Sequence, residues 1–188
     1  MEPMLLDVPT ELATQRLLLR VPRTGDGTLI FPGIRESLSE LKPWAPWAKD
    51  DYSESDAELW VRTAAAAFLK REIIDMLIFS RVDGRHLGSI GFHHFEWDVP
   101  KCEIGYMLRT KETGQGFMAE AVGAMLGLAA SLKMRRVESR PDVENEKSRK
   151  VTERAGFQLE GTLRDSVRAP DGKLCSECVY ARIFNPAD

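Results

Sequence analysis

Two glycines separated by one residue, Gly114 and Gly116, carry the most informative chemistry of this 188-residue chain. They stand between a mostly apolar run at residues 104–108 and a second apolar segment that extends to about residue 133. The pattern predicts a strand, a glycine turn and a helix over residues 114–133, and glycine lets the main chain pass close to a bulky group. The free N–H groups of a first helical turn, with the positive end of the helix dipole behind them, favour phosphate. The junction therefore predicts a site for a ligand that carries phosphate or pyrophosphate.

The same run also fits the dinucleotide-binding fingerprint as Gly114-x-Gly116-x-x-Ala119, with Glu138 near the acidic position of that motif. In the dinucleotide-binding fold, however, the strand runs almost directly into the first glycine, whereas five polar residues at 109–113 intervene in this chain. Only about fifty residues follow Glu138, and they predict one short helix and a hairpin instead of a second βαβ half. An NAD(P)-binding oxidoreductase is therefore the weaker interpretation.

Length and composition favour one globular domain over residues 1–188 in the cytoplasm. A hydrophobic content of 43% and a charged content of 29% are ordinary for such proteins. The net charge of −3 argues against broad nucleic-acid binding, which needs a basic surface. Residues 1–4 lack the basic flank of a signal peptide, and the most apolar segment, residues 121–132, is too short to cross a membrane.

The three cysteines predict neither a disulfide framework nor a zinc site. Cys175 and Cys178 match the CxxC spacing, but no second pair or nearby histidine completes a metal site. They also lie on a predicted strand, where odd spacing directs the two side chains to opposite faces.

Hydrophobic periodicity and turn residues predict a mixed α/β sheet. The predicted strands are at residues 16–21, 75–82, 86–95, 101–109, 135–140, 157–168 and 173–184. The first predicted helix ends near residue 41, and the second begins at Ser53 or Ser55 and reaches about residue 71. Two further helices are predicted over residues 114–133 and 144–155. The order of these elements predicts a sheet that is antiparallel at first and parallel around the glycine helix.

Several motifs in a fixed order point to one family. Residues 111–116, Lys-Glu-Thr-Gly-Gln-Gly, fit the pattern (Arg/Gln)-x-x-Gly-x-(Gly/Ala) with lysine in the first position. The companion motifs are Thr14-Gln15-Arg16-Leu17-Leu18-Leu19-Arg20, Trp44-Ala45-Pro46-Trp47, Asn145-Glu146-Lys147-Ser148, Arg154-Ala155-Gly156-Phe157 and Leu159-Glu160-Gly161. Together they resemble the GNAT N-acyltransferases, and most closely the branch typified by the ribosomal-protein N-terminal acetyltransferases. The resemblance covers residues 14–184, and the order and spacing of the motifs carry it.

The resemblance implies a GNAT-like fold, a central twisted sheet of about seven strands with flanking helices. It also implies transfer of an acetyl group from acetyl-CoA to a primary amine, either a protein N-terminus or a small molecule. Because the thioester is already activated, the amine attacks it directly, and neither an enzyme nucleophile nor a metal is required. Analogy with the branch favours a homodimer, whereas charge and composition predict neither a nucleic-acid nor a membrane partner. A protein that binds acyl-CoA as a sensor without turnover remains an alternative.

The resemblance further implies which residues hold the cofactor. Main-chain groups of Tyr106, Met107 and Leu108 would bind the pantetheine arm. The pyrophosphate would be held by the turn that comprises Lys111, Thr113, Gly114, Gln115, Gly116, Phe117 and Met118, and the following helix would add Asn145 and Lys147. The basic residues of that helix could reach the 3′-phosphate, although a solvated helix face explains them equally well.

Glu103 and Ser148 are the catalytic candidates. Glu103 lies in a mostly apolar predicted strand and is the candidate general base, directly or through water, unless it is a solvated or ion-paired glutamate. Ser148 matches the position where close relatives place a hydroxyl beside the coenzyme A sulfur to protonate the leaving thiolate. A serine early in a helix is also a common local cap.

Three further residues are candidates for the substrate site. His93 and His94 are adjacent on a predicted strand, so at most one of them faces any given cleft, and His93 is the candidate for substrate contact. Trp44 and Trp47 could line the acceptor site or cover the edge of the core. The sequence does not identify the acceptor amine.

Overall fold

The computed structural model describes residues 2–184, which form a mixed sheet covered by helices on both faces. Its strands are β1 (Glu11–Ala13), β2 (Leu17–Arg20), β3 (Ile74–Ser80), β4 (His86–Glu96), β5 (Lys101–Leu108), β6 (Arg136–Ser139), β7 (Gln158–Arg168) and β8 (Leu174–Ile183). Its α-helices are α1 (Gly27–Leu41), α2 (Glu54–Lys70), α3 (Phe117–Ser131) and α4 (Glu146–Arg154), and short 3₁₀ turns occupy Pro3–Leu5 and Thr110–Glu112.

The strand order is β1-β2-β3-β4-β5-β6-β8-β7, and β5 with β6 is the parallel pair, joined through α3. The predicted mixed sheet, antiparallel before the glycine helix and parallel around it, is confirmed. The predicted number of about seven strands is one too few, because β1 also joins the sheet beside β2. β1 has only three residues and no buried side chain, so it leaves no periodic signal in the sequence.

Two apolar clusters hold the helices against the sheet. On one face α3 buries Ala121, Val122 and Met125 over the central strands, and these side chains are at most 1% exposed. On the other face α1 and α2 pack through Ile30 and Val61 against β3. Each face of the sheet therefore has its own helical layer, and the two layers position different parts of the site.

Helix α3 begins at Phe117, three residues later than predicted. Gly114 and Gly116 both have φ of +78°, in the left-handed region that a right-handed helix cannot contain. The two glycines therefore form a turn in front of the helix instead of its first residues. The second helix begins after Ser53, whose hydroxyl oxygen accepts from the Asp56 N–H in a capping box.

Strands β5 and β6 separate after a short contact. They pair only from Lys101 to Glu103 on β5 and from Arg136 to Glu138 on β6, whereas β5 stays paired with β4 up to Leu108. Residues 104–108 of β5 thus have no strand partner on one side within the described chain. We call this unpaired side of residues 104–108 the open edge. Its main-chain N–H and C=O groups have no partner strand, although they lie in the middle of the sheet.

Two smaller predictions concern membrane spans and cysteines. None of the helices within residues 2–184 combines the length and apolarity needed to cross a bilayer. Cys175 is partly exposed and Cys178 is buried on β8, as the odd spacing predicts, and both are free thiols.

Candidate functional site

The turn before α3 leaves main-chain N–H groups without a helical acceptor. Gly116 is the N-cap and has no side chain with which to cap the helix, and the first helical hydrogen bond runs from the Glu120 N–H to the Gly116 carbonyl over 3.1 Å. The N–H groups of residues 117–119 precede that bond and have no helical acceptor. Gly114, Gln115 and Gly116 are exposed to solvent. We call residues 113–119 the phosphate turn, since its geometry suits an anion.

Arg16 adds a positive charge to the phosphate turn. Its guanidinium donates to the Gln115 carbonyl over 2.9 Å, lies 4.7 Å from the centre of the Phe117 ring and is held by Glu120 at 2.6 Å. Sequence reasoning recognised Arg16 only as part of the first-strand motif, because 99 residues separate it from Gln115. Lys111, which the motif places in the turn, instead points to Glu36 of α1 at 3.3 Å and is largely exposed.

The side chains of Phe117 and Met118 are buried, with 9% and 6% exposure. These two candidate cofactor residues therefore offer only main-chain groups at the turn. The Thr113 hydroxyl donates to the Thr110 carbonyl over 2.8 Å, which keeps it within the turn.

A chain of hydroxyl groups joins the open edge to α4. The Ser148 hydroxyl donates to the Tyr106 hydroxyl over 3.2 Å, and the Tyr106 oxygen lies 2.9 Å from the Thr152 hydroxyl. Burial raises the pKa of Tyr106, so its phenol stays protonated. Asn145 fixes the start of α4, where its side-chain oxygen accepts from the Ser148 N–H at 3.1 Å. The resemblance assigns the main chain of Tyr106 to the cofactor, but nothing in the sequence indicates which hydroxyl groups its side chain contacts.

Glu103 contacts a pair of histidines. Its carboxylate lies 3.2 Å from the His94 Nδ1, which in turn lies 3.3 Å from the His93 Nδ1. Arg140 lies 3.8 Å from the same carboxylate. The arrangement depends on a β-bulge after His93, in which His94 takes φ of +52° and turns its ring back onto that of its neighbour. Three titratable side chains are thereby clustered, with the His94 Nδ1 in contact with both of the others.

A large cleft of about 1000 Å³ lies on the α1–α2 face of the sheet. The predicted substrate residues Trp44, Trp47 and His93 line it, and both tryptophans remain more than 40% exposed. His94 and Glu103 line a smaller pocket instead, so only one of the two adjacent histidines, His93, faces the large cleft, as predicted. The two histidines do not face different pockets because side chains alternate along a flat strand. The bulge separates them, and it also brings their rings into contact.

His93 stands at the floor of this large cleft. Its Nε2 lies above Gly105 of β5, at 2.9 Å from where a Cβ of that glycine would be. Desolvation lowers the pKa of His93, although the charge of Glu103 acts in the opposite direction. A neutral imidazole that faces a cleft can accept a proton, with the Glu103 carboxylate behind it to stabilise the resulting charge.

Several other lining residues escaped sequence reasoning. Tyr52 and Trp60 extend the aromatic wall, and His86 and Asp75 lie deep in the large cleft. Burial lowers the pKa of His86 to about 4 and raises the pKa of Asp75 to about 7. No motif marks these positions, since they meet only through strand pairing. Lys147, a predicted cofactor residue, reaches across to Glu40 at the end of α1 at 2.8 Å.

The dinucleotide-binding interpretation is wrong on topology. Within residues 2–184 the β5-α3-β6 unit is the only parallel crossover, so the doubly wound sheet of that fold is absent. Glu138, the candidate ribose ligand, is buried between Arg136 at 2.6 Å and Arg140 at 2.7 Å. Its carboxylate is therefore paired with two arginines and is not free to bind a ribose hydroxyl.

Comparison with known proteins agrees with this fold. Residues 16–158 match the family model described as an acetyltransferase (GNAT) domain. The chain is 37% identical over 159 residues to the putative ribosomal N-acetyltransferase YdaF of Bacillus subtilis, covering 81% of this chain and 84% of the relative. It is 36% identical over 96 residues to the uncharacterized N-acetyltransferase p20 of Bacillus licheniformis, which is about half of each protein (50% and 53%).

Two solved structures share the fold at low sequence identity. The microcin C7 self-immunity acetyltransferase MccE, in complex with acetyl-CoA and AMP, has a TM-score of 0.88 at 17% identity over 94% of this chain and 98% of that one. The ribosomal L7/L12 α-N-protein acetyltransferase RimL, in complex with coenzyme A, has a TM-score of 0.85 at 22% identity over 94% and 97%.

Proposed function

Because this chain belongs to the GNAT acetyltransferase family, we propose that it transfers the acetyl group of acetyl-CoA to a primary amine. The observation that carries the proposal is the position of the open edge of β5. It has the phosphate turn at one end and the large cleft on one face. A donor that lies along this edge presents its thioester to an amine that enters from the cleft.

The donor is held mainly by main-chain groups. The unpaired N–H groups of the phosphate turn and the guanidinium of Arg16 bind the pyrophosphate. The pantetheine arm lies along residues 106–108, where its amides pair with the unused main-chain groups of the open edge. Asn145 orients α4 beside the thioester end through its cap on Ser148.

The amine nitrogen attacks the thioester carbonyl carbon directly. A C–N bond forms, the C–S bond breaks, and no covalent enzyme intermediate is needed. The proton of the acceptor ammonium passes to His93 Nε2, and the negative charge of Glu103 stabilises the imidazolium. The Ser148 hydroxyl, which rests as a donor to the Tyr106 oxygen, turns to protonate the departing thiolate, and the second proton that the nitrogen sheds as the amide forms reaches Ser148 through solvent. Glu103 thus acts on the proton held by His93 without lining the large cleft itself.

The acceptor enters the large cleft between the tryptophans of the α1–α2 connection. The openness of this entrance suits either a protein N-terminus or a small-molecule amine. Relatives named as ribosomal-protein acetyltransferases favour the first of these.

A thiol-release assay tests the proposal. Purified protein, acetyl-CoA and a panel of amines should yield free coenzyme A that depends on the amine. Acetyl-CoA should also raise the melting temperature, whereas NAD(P)H should leave it unchanged. Stabilisation by acetyl-CoA without thiol release for any amine would indicate that the protein is an acyl-CoA sensor and not an enzyme. Stabilisation by NAD(P)H alone would refute the donor assignment.

A further inference from the structure

Asp75 of β3 is an unpaired carboxylate in the large cleft. Within residues 2–184 it makes no hydrogen bond or ion pair, and desolvation is the only influence on its titration. Placing a carboxylate in such surroundings without a partner is costly. The cost suggests a ligand that supplies the missing partner.

Strand pairing places this carboxylate in a row with two glycines that leads to β5. Asp75 is paired with Gly91 of β4, and Gly91 is paired with Gly105 of β5. Directly paired residues share a face of the sheet, so two glycines lie in line beside the carboxylate. A Cβ on Gly91 would collide with the Asp75 Oδ1, which shows that the carboxylate occupies the space above this glycine.

The two glycines thereby form the floor of a trough. The Asp75 carboxylate lies over Gly91, and the His93 Nε2 lies over Gly105, the next residue along the same row. The trough offers one anionic group and one neutral base next to the strand on which the thioester would rest. The aromatic rings of Trp44 and Trp60 line the same cleft, and rings of this kind also attract cations.

We propose that Asp75 binds the ammonium group of the acceptor, and that the acceptor is a cationic amine without a carboxylate on its α-carbon. This inference rests on the proposed function, because it names the substrate class of the same site. A peptide N-terminus fits the class, since its neighbouring carbonyl is a neutral amide. A free amino acid does not, because its carboxylate would lie close to Asp75. Burial raises the pKa of Asp75 to about 7, and a bound ammonium would favour the ionised form of this carboxyl.

The test compares Asp75→Asn with the wild type on three acceptors: a tripeptide amide, spermidine and free serine. In the wild type, free serine should have at least about a tenfold higher KM than the tripeptide amide. In Asp75→Asn, the KM of the tripeptide amide should rise about tenfold or more, with kcat and the acetyl-CoA affinity changed less than about threefold. The preference against free serine should also shrink, which a merely structural effect would not produce.

Glu72→Gln is the matched control, because it removes the same charge from an exposed residue just before β3. It should leave every KM unchanged. A melting curve checks each variant, and Asp75→Ser provides a second neutral variant should Asp75→Asn fail to fold. Wild-type turnover with unchanged acceptor KM in the folded Asp75 variants would overturn this inference alone. Absence of thiol release with every amine would overturn the proposed function and this inference with it.

Discussion

The two sides of the proposed site are built from different groups. The phosphate turn and the open edge offer main-chain N–H and C=O groups, whose positions follow from two left-handed glycines and from the divergence of β5 and β6. The large cleft instead presents side chains from the α1–α2 connection and three strands. Main-chain sites depend on a few backbone conformations, whereas side-chain sites change with single substitutions. We therefore expect a donor site that fails as a whole and an acceptor site that can be adjusted residue by residue.

The largest effect should come from Gly116→Val. A β-branched residue at φ of +78° is strained, so the turn would change conformation and its N–H groups would no longer converge. We expect acetyl-CoA binding to be undetectable by calorimetry and kcat/KM to fall at least about 100-fold, roughly 3 kcal/mol.

The control for this change is Gly123→Ala, within the same helix but with open space at its Cβ position. It should bind acetyl-CoA normally and gain up to about 1 kcal/mol in the free energy of unfolding. Normal affinity in Gly116→Val would show that the donor does not depend on the phosphate turn.

Glu103→Gln should lower kcat by about 30- to 100-fold while the acetyl-CoA affinity stays unchanged. His93→Ala should have a similar effect, and the double variant should be little worse than either, because Glu103 acts by stabilising the proton that His93 accepts. Steady-state thiol release measures all three. Glu96→Gln, an exposed glutamate on β4, is the control and should retain wild-type kcat. Fully multiplicative losses in the double variant would separate Glu103 from His93.

Ser148→Ala should cost about tenfold in kcat, and Tyr106→Phe about threefold. The difference follows if the Ser148 hydroxyl protonates the thiolate and Tyr106 only supports it. Single-turnover measurements with acetyl-CoA isolate this step from product release. A larger loss of kcat in Tyr106→Phe than in Ser148→Ala would assign protonation of the thiolate to the phenol of Tyr106.

The last prediction concerns stability. The pKa of Asp75 is about 7 in the folded protein against an ordinary value of 3.8. Between these values the folded protein keeps a proton that the unfolded chain has lost, so this residue lowers stability as pH rises from about 4 to about 7. Asp75→Asn should match the wild type near pH 4 and exceed it by roughly 1–3 kcal/mol at pH 8. Urea unfolding at both pH values measures the difference, and an equal gain at both would place the pKa of Asp75 elsewhere.

The same division explains what the sequence could predict. The phosphate turn and α3 lie in about twenty consecutive residues, so local patterns predicted them to within three residues. Asp75, Gly91 and Gly105 come together only through the register of three strands, which a local pattern does not contain. The contact of His93 with His94 needs a bulge, and nothing in the residue types of β4 indicates one. The Ser148–Tyr106 hydrogen bond likewise joins residues 42 positions apart.

The divergence of β5 from β6 has a further consequence for the protein without its donor. An extended segment with unpaired amides in the centre of a sheet is open to β-augmentation by any other extended chain. Its amide hydrogens should exchange quickly with solvent and slow down when acetyl-CoA is added, whereas those shared with β4 should change little. The ligand would then act as a missing strand, and protein stored without it should self-associate more readily.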